Sequence, residues 1–346
     1  MSLAQAAGYE PVGTLTQRYL SRSKFGVGEG KAQEAAQIVR EKGAETIIFD
    51  SRLNPSQTYN LAKVCKVEVK DREKLILEIF ARRAATAEAK VQVELAELNY
   101  ELPRARDKVR RAKAGEQPGF FGLGKYEVDV YVRMMKRRSA TLRKKVEELR
   151  GRREVFRRQR LREGFASVAI TGYTGAGKTT LFNKLTGETK EVDAGAFTTL
   201  SPTTRRIAIR NQKVLVSDTV GFISRLPPYL IEAFKSTLEE VSYATLVLLL
   251  VDASQPVGKL LTSYESCVGT LAELGVPETR ILAAMNKTDL VGTEELREKS
   301  RTIGLGDPVC ISARTGSGLG ELLQAVAARL SVDGRDQIQG AVQNPG

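Results

Sequence analysis

The sequence predicts an α/β protein in three parts. These are an N-terminal α/β subdomain (residues 1–75), a long antiparallel two-helix hairpin (76–162), and a C-terminal P-loop domain (163–331) whose mostly parallel sheet is flanked by helices. Three observations predict it. Strand and helix signals alternate at both ends of the chain. Two stripes of apolar residues at near-heptad spacing fill the middle. Between them and the C-terminus, FASVAITGYTGAGKTT (165–180) runs strand, glycine loop, helix. The final stretch, 332–346, is expected to be a disordered tail.

Bulk composition narrows the function classes. With 346 residues, 42% apolar and 27% charged, the chain has material for two or three ordinary globular domains. No run of eighteen apolar residues exists, and MSLAQAAGYE has no basic start followed by an apolar core, so neither a membrane span nor a secretory leader is expected. Three scattered cysteines (Cys65, Cys267, Cys310) fit a reducing, cytoplasmic setting. Histidine is absent, which removes His-based zinc sites, His general bases and Ser-His-Asp triads together.

In the first part, Pro11–Leu15 is expected to be a strand and Gly30–Lys42 a helix closed by Gly43. Glu45–Phe49 follows as a buried strand. Asn54-Pro55 opens a second helix with a cap and an N1 proline, and Val67–Val69 adds a third strand. The glycines of KFGVGEGK (24–31) lack a G-K-[ST] ending and a strong preceding strand, so a structural turn is expected there.

The hairpin rests on two stripes. Leu77, Phe80, Ala84, Ala87, Val91, Leu95, Leu98 and Leu102 form one, interrupted or kinked by Pro103. Val128, Val132, Met135, Leu142, Val146, Leu149 and Phe156 form the other. Between them, KAGEQPGFFGLGKYE (113–127) is rich in glycine and holds Phe120 and Phe121. Packing through these seams points the cationic side chains outward. From Arg104 to Arg162 there are 21 Lys/Arg against 7 Asp/Glu, an excess of 14, whereas the whole chain carries +13. A basic arm with an aromatic, glycine-rich tip suits folded RNA, where arginine and aromatic rings stack on bases. The bland alternative is a coiled coil whose charges only keep it soluble.

In the third part, Gly172-Tyr173-Thr174-Gly175-Ala176-Gly177-Lys178-Thr179-Thr180 is G-x-x-x-x-G-K-T at a helix start. Its glycines let successive N–H groups turn toward phosphate oxygens. Lys178 supplies a charge at the β- and γ-phosphates, and the Thr179 hydroxyl can ligate Mg²⁺. Gly195–Arg205 reads as a polar loop with further Mg²⁺ ligands. Strands at Arg206–Arg210 and Lys213–Val216 then end in Asp218-Thr219-Val220-Gly221, with Asp218 expected to hold Mg²⁺ through water and the Gly221 N–H to meet the γ-phosphate. The apolar strands Thr245–Val251 and Ile281–Met285 lead to Asn286-Lys287-Thr288-Asp289. There Asp289 can accept both N1–H and N2–H of guanine, a donor pair adenine lacks, while Asn286 braces the loop and the Lys287 stem lies along the ring. A last strand, Val309–Ile311, delivers Ser312-Ala313-Arg314, whose backbone can meet guanine O6. The order and spacing of these elements predict a GTP/GDP-binding, Mg²⁺-dependent GTPase domain. Phe222 stands where a water-orienting glutamine is usual, so intrinsic turnover on the order of 10⁻³ s⁻¹ is expected, rising at least tenfold with a macromolecular activator.

These segments resemble the HflX family of GTPases. GYTGAGKTTLFNKLTG (172–187), FTTLSPTTRR (197–206), SDTVGFISRLPPYLIEAFKSTLEEV (217–241) and VDAS (251–254) are similar to its G-domain signature. FDSRLNPSQTYNL (49–61) and the stretch 75–104 are similar to its N-terminal and helical portions. The resemblance spans all but roughly the last fifteen residues. It implies a cytosolic factor on the large ribosomal subunit and its rRNA, whose arm approaches the peptidyl-transferase region and whose GTP state favours dissociating or rescuing ribosomes. It also places Thr199 as the switch threonine that closes on Mg²⁺, a catalytic role shared with Lys178 and Gly221. The arm loop departs from the family's G-P-G-E-T, reading Gly122-Leu123-Gly124-Lys125-Tyr126, and a leading N-terminal strand of the family is expected to be missing. A monomer is expected. The competing functions are a GTPase-driven RNA-modification or ribosome-assembly factor and a regulatory protein-binding GTPase.

Overall fold

The computed structural model describes residues 2–18, 23–113, 125–189, 197, 200, 202–210, 212–224 and 227–342. They form two compact units, Met1–Leu149 and Arg150–Gly346.

The first unit opens with α1 (Ser2–Ala6), α2 (Glu29–Lys42), β1 (Thr46–Phe49), α3 (Pro55–Cys65) and β2 (Glu68–Asp71). β1 and β2 pair in parallel, with Thr46 opposite Glu68 and Phe49 opposite Asp71. α2 ends at Gly43, whose φ of 62° is the left-handed cap that glycine adopts at least cost. α3 begins with a full capping box: Asn54 accepts from the Gln57 N–H at 2.8 Å, and the Gln57 side chain accepts from the Asn54 N–H at 3.0 Å. Gln57 Nε2 also donates to the Ser23 carbonyl, and Asn60 to that of Lys24, so α3 closes the KFGVGEGK turn. Phe25 and Val27 of that turn enter a core with Leu53, Leu61 and Val69, as a structural turn requires. Pro11–Leu15, expected as a strand, is irregular. It finds no strand partner among the described residues, and Gly13 packs beside Ile38 of α2 instead.

The first long apolar stripe divides into two helices, α4 (Arg72–Arg83) and α5 (Ala87–Lys113). Thr86 causes the break, because its hydroxyl accepts from the Ala89 N–H at 3.1 Å and starts a new helix. α5 then continues through Pro103. α6 (Lys125–Arg162) carries the second stripe. Val91, Leu95 and Leu98 of α5 pack on Leu142 and Val146 of α6, and Arg138 forks onto Glu94 at 2.7 and 3.1 Å. These contacts join α5 to α6 along one apolar seam. Phe120, Phe121 and most of the tip loop lie outside the described residues. At the base, buried Asp71 accepts from Tyr100, Arg104, Lys74 N–H and Leu53 N–H, joining β2, α4 and α5.

The second unit is a six-stranded sheet in the order β4-β5-β3-β6-β7-β8. Its strands are β3 (Ala166–Gly172), β4 (Thr203–Ile209), β5 (Gln212–Asp218), β6 (Leu246–Asp252), β7 (Ile281–Asn286) and β8 (Val309–Cys310). All pairings are parallel except the β4–β5 hairpin. β6 is buried along Leu246–Val251, the pattern of a strand covered on both faces. α7 (Lys178–Thr186) and α12 (Leu319–Val342) cover one face, with Leu181, Phe182, Leu322 and Val326 in its core. α9 (Lys235–Ser242), α10 (Val257–Glu273) and α11 (Thr293–Thr302) cover the other, and α8 (Pro228–Ala233) precedes α9. Within this unit the end of α6 is held by an Arg150–Glu239 ion pair at 2.6 Å and by Arg157 stacked on Tyr243. α12 continues to Val342, through most of the expected tail; no proline lies between Leu319 and Val342 to stop it. Among the described residues no helix is long and apolar enough to cross a membrane.

Candidate nucleotide-binding site

In a sheet of this kind the carboxyl ends of the parallel strands form the natural crevice. β3, β5, β6, β7 and β8 deliver all the described sequence-predicted site residues there, from Gly172 to Arg314.

The phosphate loop links β3 to α7. Gly172, with φ 144°, lies where a Cβ would overlap the Leu250 carbonyl, and Gly177, with φ 93°, where one would overlap the Asn286 amide. Both glycines are therefore needed by the close approach of β6 and β7. The Lys178 Nζ donates to the Gly172 and Tyr173 carbonyls at 3.1 and 2.9 Å, arching back over the loop. Burial pushes its pKa down to about 8, against the pull of Asp218. Of the loop's N–H groups, that of Thr174 donates to Phe222 and that of Ala176 to Tyr173. Thr180 sits in the first turn of α7.

Asp218, fully buried at the end of β5, accepts from the Thr179 hydroxyl at 3.0 Å. A hydroxyl and a carboxylate side by side at a helix start fit Mg²⁺, which keeps most of its waters and takes few protein ligands. Thr219 is fixed by a 2.7 Å bond to the Ile170 carbonyl, and Val220 is buried. Gly221 lies so near that a Cβ there would stand 2.8 Å from Lys178 Nζ. Phe222 is a core residue, 1% exposed, whose backbone bridges Tyr173 through bonds to Gly172 and Thr174. The Tyr173 side chain turns toward Ser224, accepting its N–H at 3.2 Å. Thr199 lies outside the described residues.

Asn286 ties the two halves of the crevice. Its amide donates to the Ala176 carbonyl at 2.7 Å and accepts from the Ala313 N–H at 2.9 Å. Lys287 holds φ 64°, and its ammonium bonds Asp252 Oδ2 at 2.7 Å. Burial would raise the Asp252 pKa, but the hydrogen bonds from Lys287 and Ser254 outweigh it and hold it below the usual range. Asp289 sits at the mouth, paired with exposed Arg314 at 2.7 Å. The Ser312 hydroxyl, aided by Arg314, keeps the Asp289 carboxyl ionised to lower pH than usual. Ser312 is fully buried and organises the loop by accepting from Thr315 N–H. Sequence reasoning missed Asp252 and Ser224 as supports. The VDAS stretch is the signal that could have found Asp252.

Three family models match the chain: "GTP-binding GTPase N-terminal" over residues 1–81, "GTP-binding GTPase Middle Region" over 83–160, and "50S ribosome-binding GTPase" over 167–287. The GTPase HflX of Thermococcus kodakarensis is 41% identical over 333 residues, covering 94% of this chain and 75% of that protein. That of Methanocaldococcus jannaschii is 44% identical over 308 residues, covering 88% and 76%. Among solved structures, a GTP-binding protein from Sulfolobus solfataricus in complex with GDP is 27% identical, with a TM-score of 0.50 and coverage of 95% and 94%.

Proposed function

Because the chain belongs to the HflX family of GTPases, we propose that it is a ribosome-associated switch whose basic arm binds rRNA of the large subunit and whose GTP state promotes ribosome dissociation or rescue. It binds guanine nucleotide and hydrolyses GTP, as its family does.

The single observation that carries the site assignment is the buried Asn286 amide. It bonds both the phosphate loop and the loop that follows β8, so one nucleotide can span Lys178 and Asp289. In this reading the N–H groups of Gly175, Gly177, Lys178 and Thr179 and the Lys178 ammonium cradle the phosphates. Asp289 accepts the two guanine donors, with Ser312, Ala313 and Arg314 closing the mouth around the base. Thr179 and Asp218, with Thr199, would hold Mg²⁺, which would supply charge neutralisation at the phosphates. Gly221 presents its N–H to the γ-phosphate, and Lys178 stabilises the charge that develops as the bond breaks. Phe222 faces the core and cannot orient the attacking water, so a partner has to complete the site and turnover without one is slow. The ribosome is the partner favoured by the excess of 14 positive charges from Arg104 to Arg162 and by the family description. A cytoplasmic monomer fits this role.

Co-sedimentation with large ribosomal subunits at low salt tests it. With a non-hydrolysable GTP analogue the protein is expected in the pellet, and with GDP largely in the supernatant. No pelleting in either state would reject the ribosomal assignment.

A further inference from the structure

Taking a lysine out of water costs several kcal/mol, and a methionine would fill the same slot without that cost. Lys299 on α11 is nonetheless only 2% exposed. Its Nζ donates to the Ala253 carbonyl at 2.7 Å and pairs with Glu295 at 2.6 Å. Ala253, itself fully buried, is the centre of the turn that ends β6. Its N–H donates to the Asn286 carbonyl at 2.9 Å. On one side of it Asp252 holds the Lys287 ammonium; on the other Ser254 donates from both N–H and hydroxyl to Asp252. One residue thus has its carbonyl, on the 253–254 peptide, fixed by Lys299, and its N–H, on the 252–253 peptide, fixed on the segment that reads the base.

We propose that Lys299 is a positioning residue for guanine recognition, holding the 252–254 turn against Asn286 and Lys287 from behind. The inference rests on the base-reading assignment of Asp289. Without the ammonium, the buried Ala253 carbonyl has lost a charged donor, and the cheapest relief is rotation of that peptide toward water. Rotation swings the Ser254 N–H, on the same peptide, away from Asp252 and slackens the Asp252–Lys287 pair beside Asn286. Lys299 touches neither phosphate nor base, so its effect reaches the nucleotide only through this turn.

The test uses the full chain with fluorescent GDP and ADP analogues, measuring dissociation rates for wild type, Lys299→Met and Lys299→Arg. Lys299→Met is expected to release GDP about tenfold faster and to lose a similar factor of guanine-over-adenine preference. Lys299→Arg, which still donates to the carbonyl, should stay within about threefold of wild type. A merely structural lysine would lower melting temperature in the variants and leave the guanine preference untouched. Wild-type GDP residence in Lys299→Met overturns the proposal, as does equal loss in Met and Arg. If Lys299→Met does not fold, Lys299→Gln, too short to span to Ala253, replaces it; unchanged GDP residence there also overturns the proposal. If wild type itself shows no guanine preference, the base-reading assignment falls, which is a separate result.

Discussion

At the scale of single residues, Asp289 and Lys178 do opposite jobs with opposite environments. Asp289 lies at the mouth of the crevice, its carboxylate kept ionised by the Ser312 hydroxyl and Arg314. Asp289→Asn exchanges an acceptor for a donor opposite the guanine 2-amino group. The variant is expected to lose GTP affinity and gain affinity for xanthosine nucleotides, which competition binding with both triphosphates measures; unchanged GTP affinity contradicts the assignment. Lys178 is buried, and without nucleotide its pKa is near 8. Phosphate binds the ammonium, so above that pH binding must first take up a proton. GDP affinity is therefore expected to be level below about pH 7.5 and to fall as pH rises through 8, approaching tenfold per unit. Titrations between pH 6.5 and 9 check this, and an affinity rising with pH would have the wrong sign. Lys178, Asp218 and Asp289 are readable in the sequence because motif spacing fixes them. Lys299 is not, since its partner stands 46 positions away and no local pattern announces the pairing; Asp252 is marked only by the VDAS stretch, which does not reveal its partner 35 positions on.

Among the elements, the hairpin seam is where periodicity worked and also where it misled. The stripe from Leu77 to Leu102 keeps its spacing across Ala84, so counting apolar residues predicts one helix. A single threonine cap at Thr86 divides it, and capping is a local hydrogen bond that periodicity does not register. Pro11–Leu15 failed for a different reason: a strand needs an edge to pair with, and Gly13 lies instead beside Ile38 of α2. The strands of the second unit were legible because β-rich apolar runs bounded by glycine and polar loops leave few alternatives. The seam itself is thin, and Leu142 is 3% exposed within it. Leu142→Ala is expected to cost about 2–4 kcal/mol, seen as a lower urea midpoint by circular dichroism. A change below about 0.5 kcal/mol would mean the helices are not held through that seam.

For the whole molecule, charge is the property that decides partners. A chain of +13 whose excess lies almost wholly between Arg104 and Arg162 offers a polyanion one concentrated target. Each phosphate neutralised on RNA releases counterions, so affinity for ribosomal subunits should fall steeply and linearly on a log–log salt plot. Six to ten such contacts predict a loss of about 10³–10⁵ between 50 and 200 mM salt. A slope near zero would assign the cations to solubility alone.

The shared Asn286 amide has one more consequence. Because a single side chain braces both the pocket for phosphates and the pocket for the base, occupying either one stiffens the other before its own ligand arrives. Guanosine and pyrophosphate, offered as separate molecules, should then help each other bind, and by thermodynamic linkage each must help the other by the same factor.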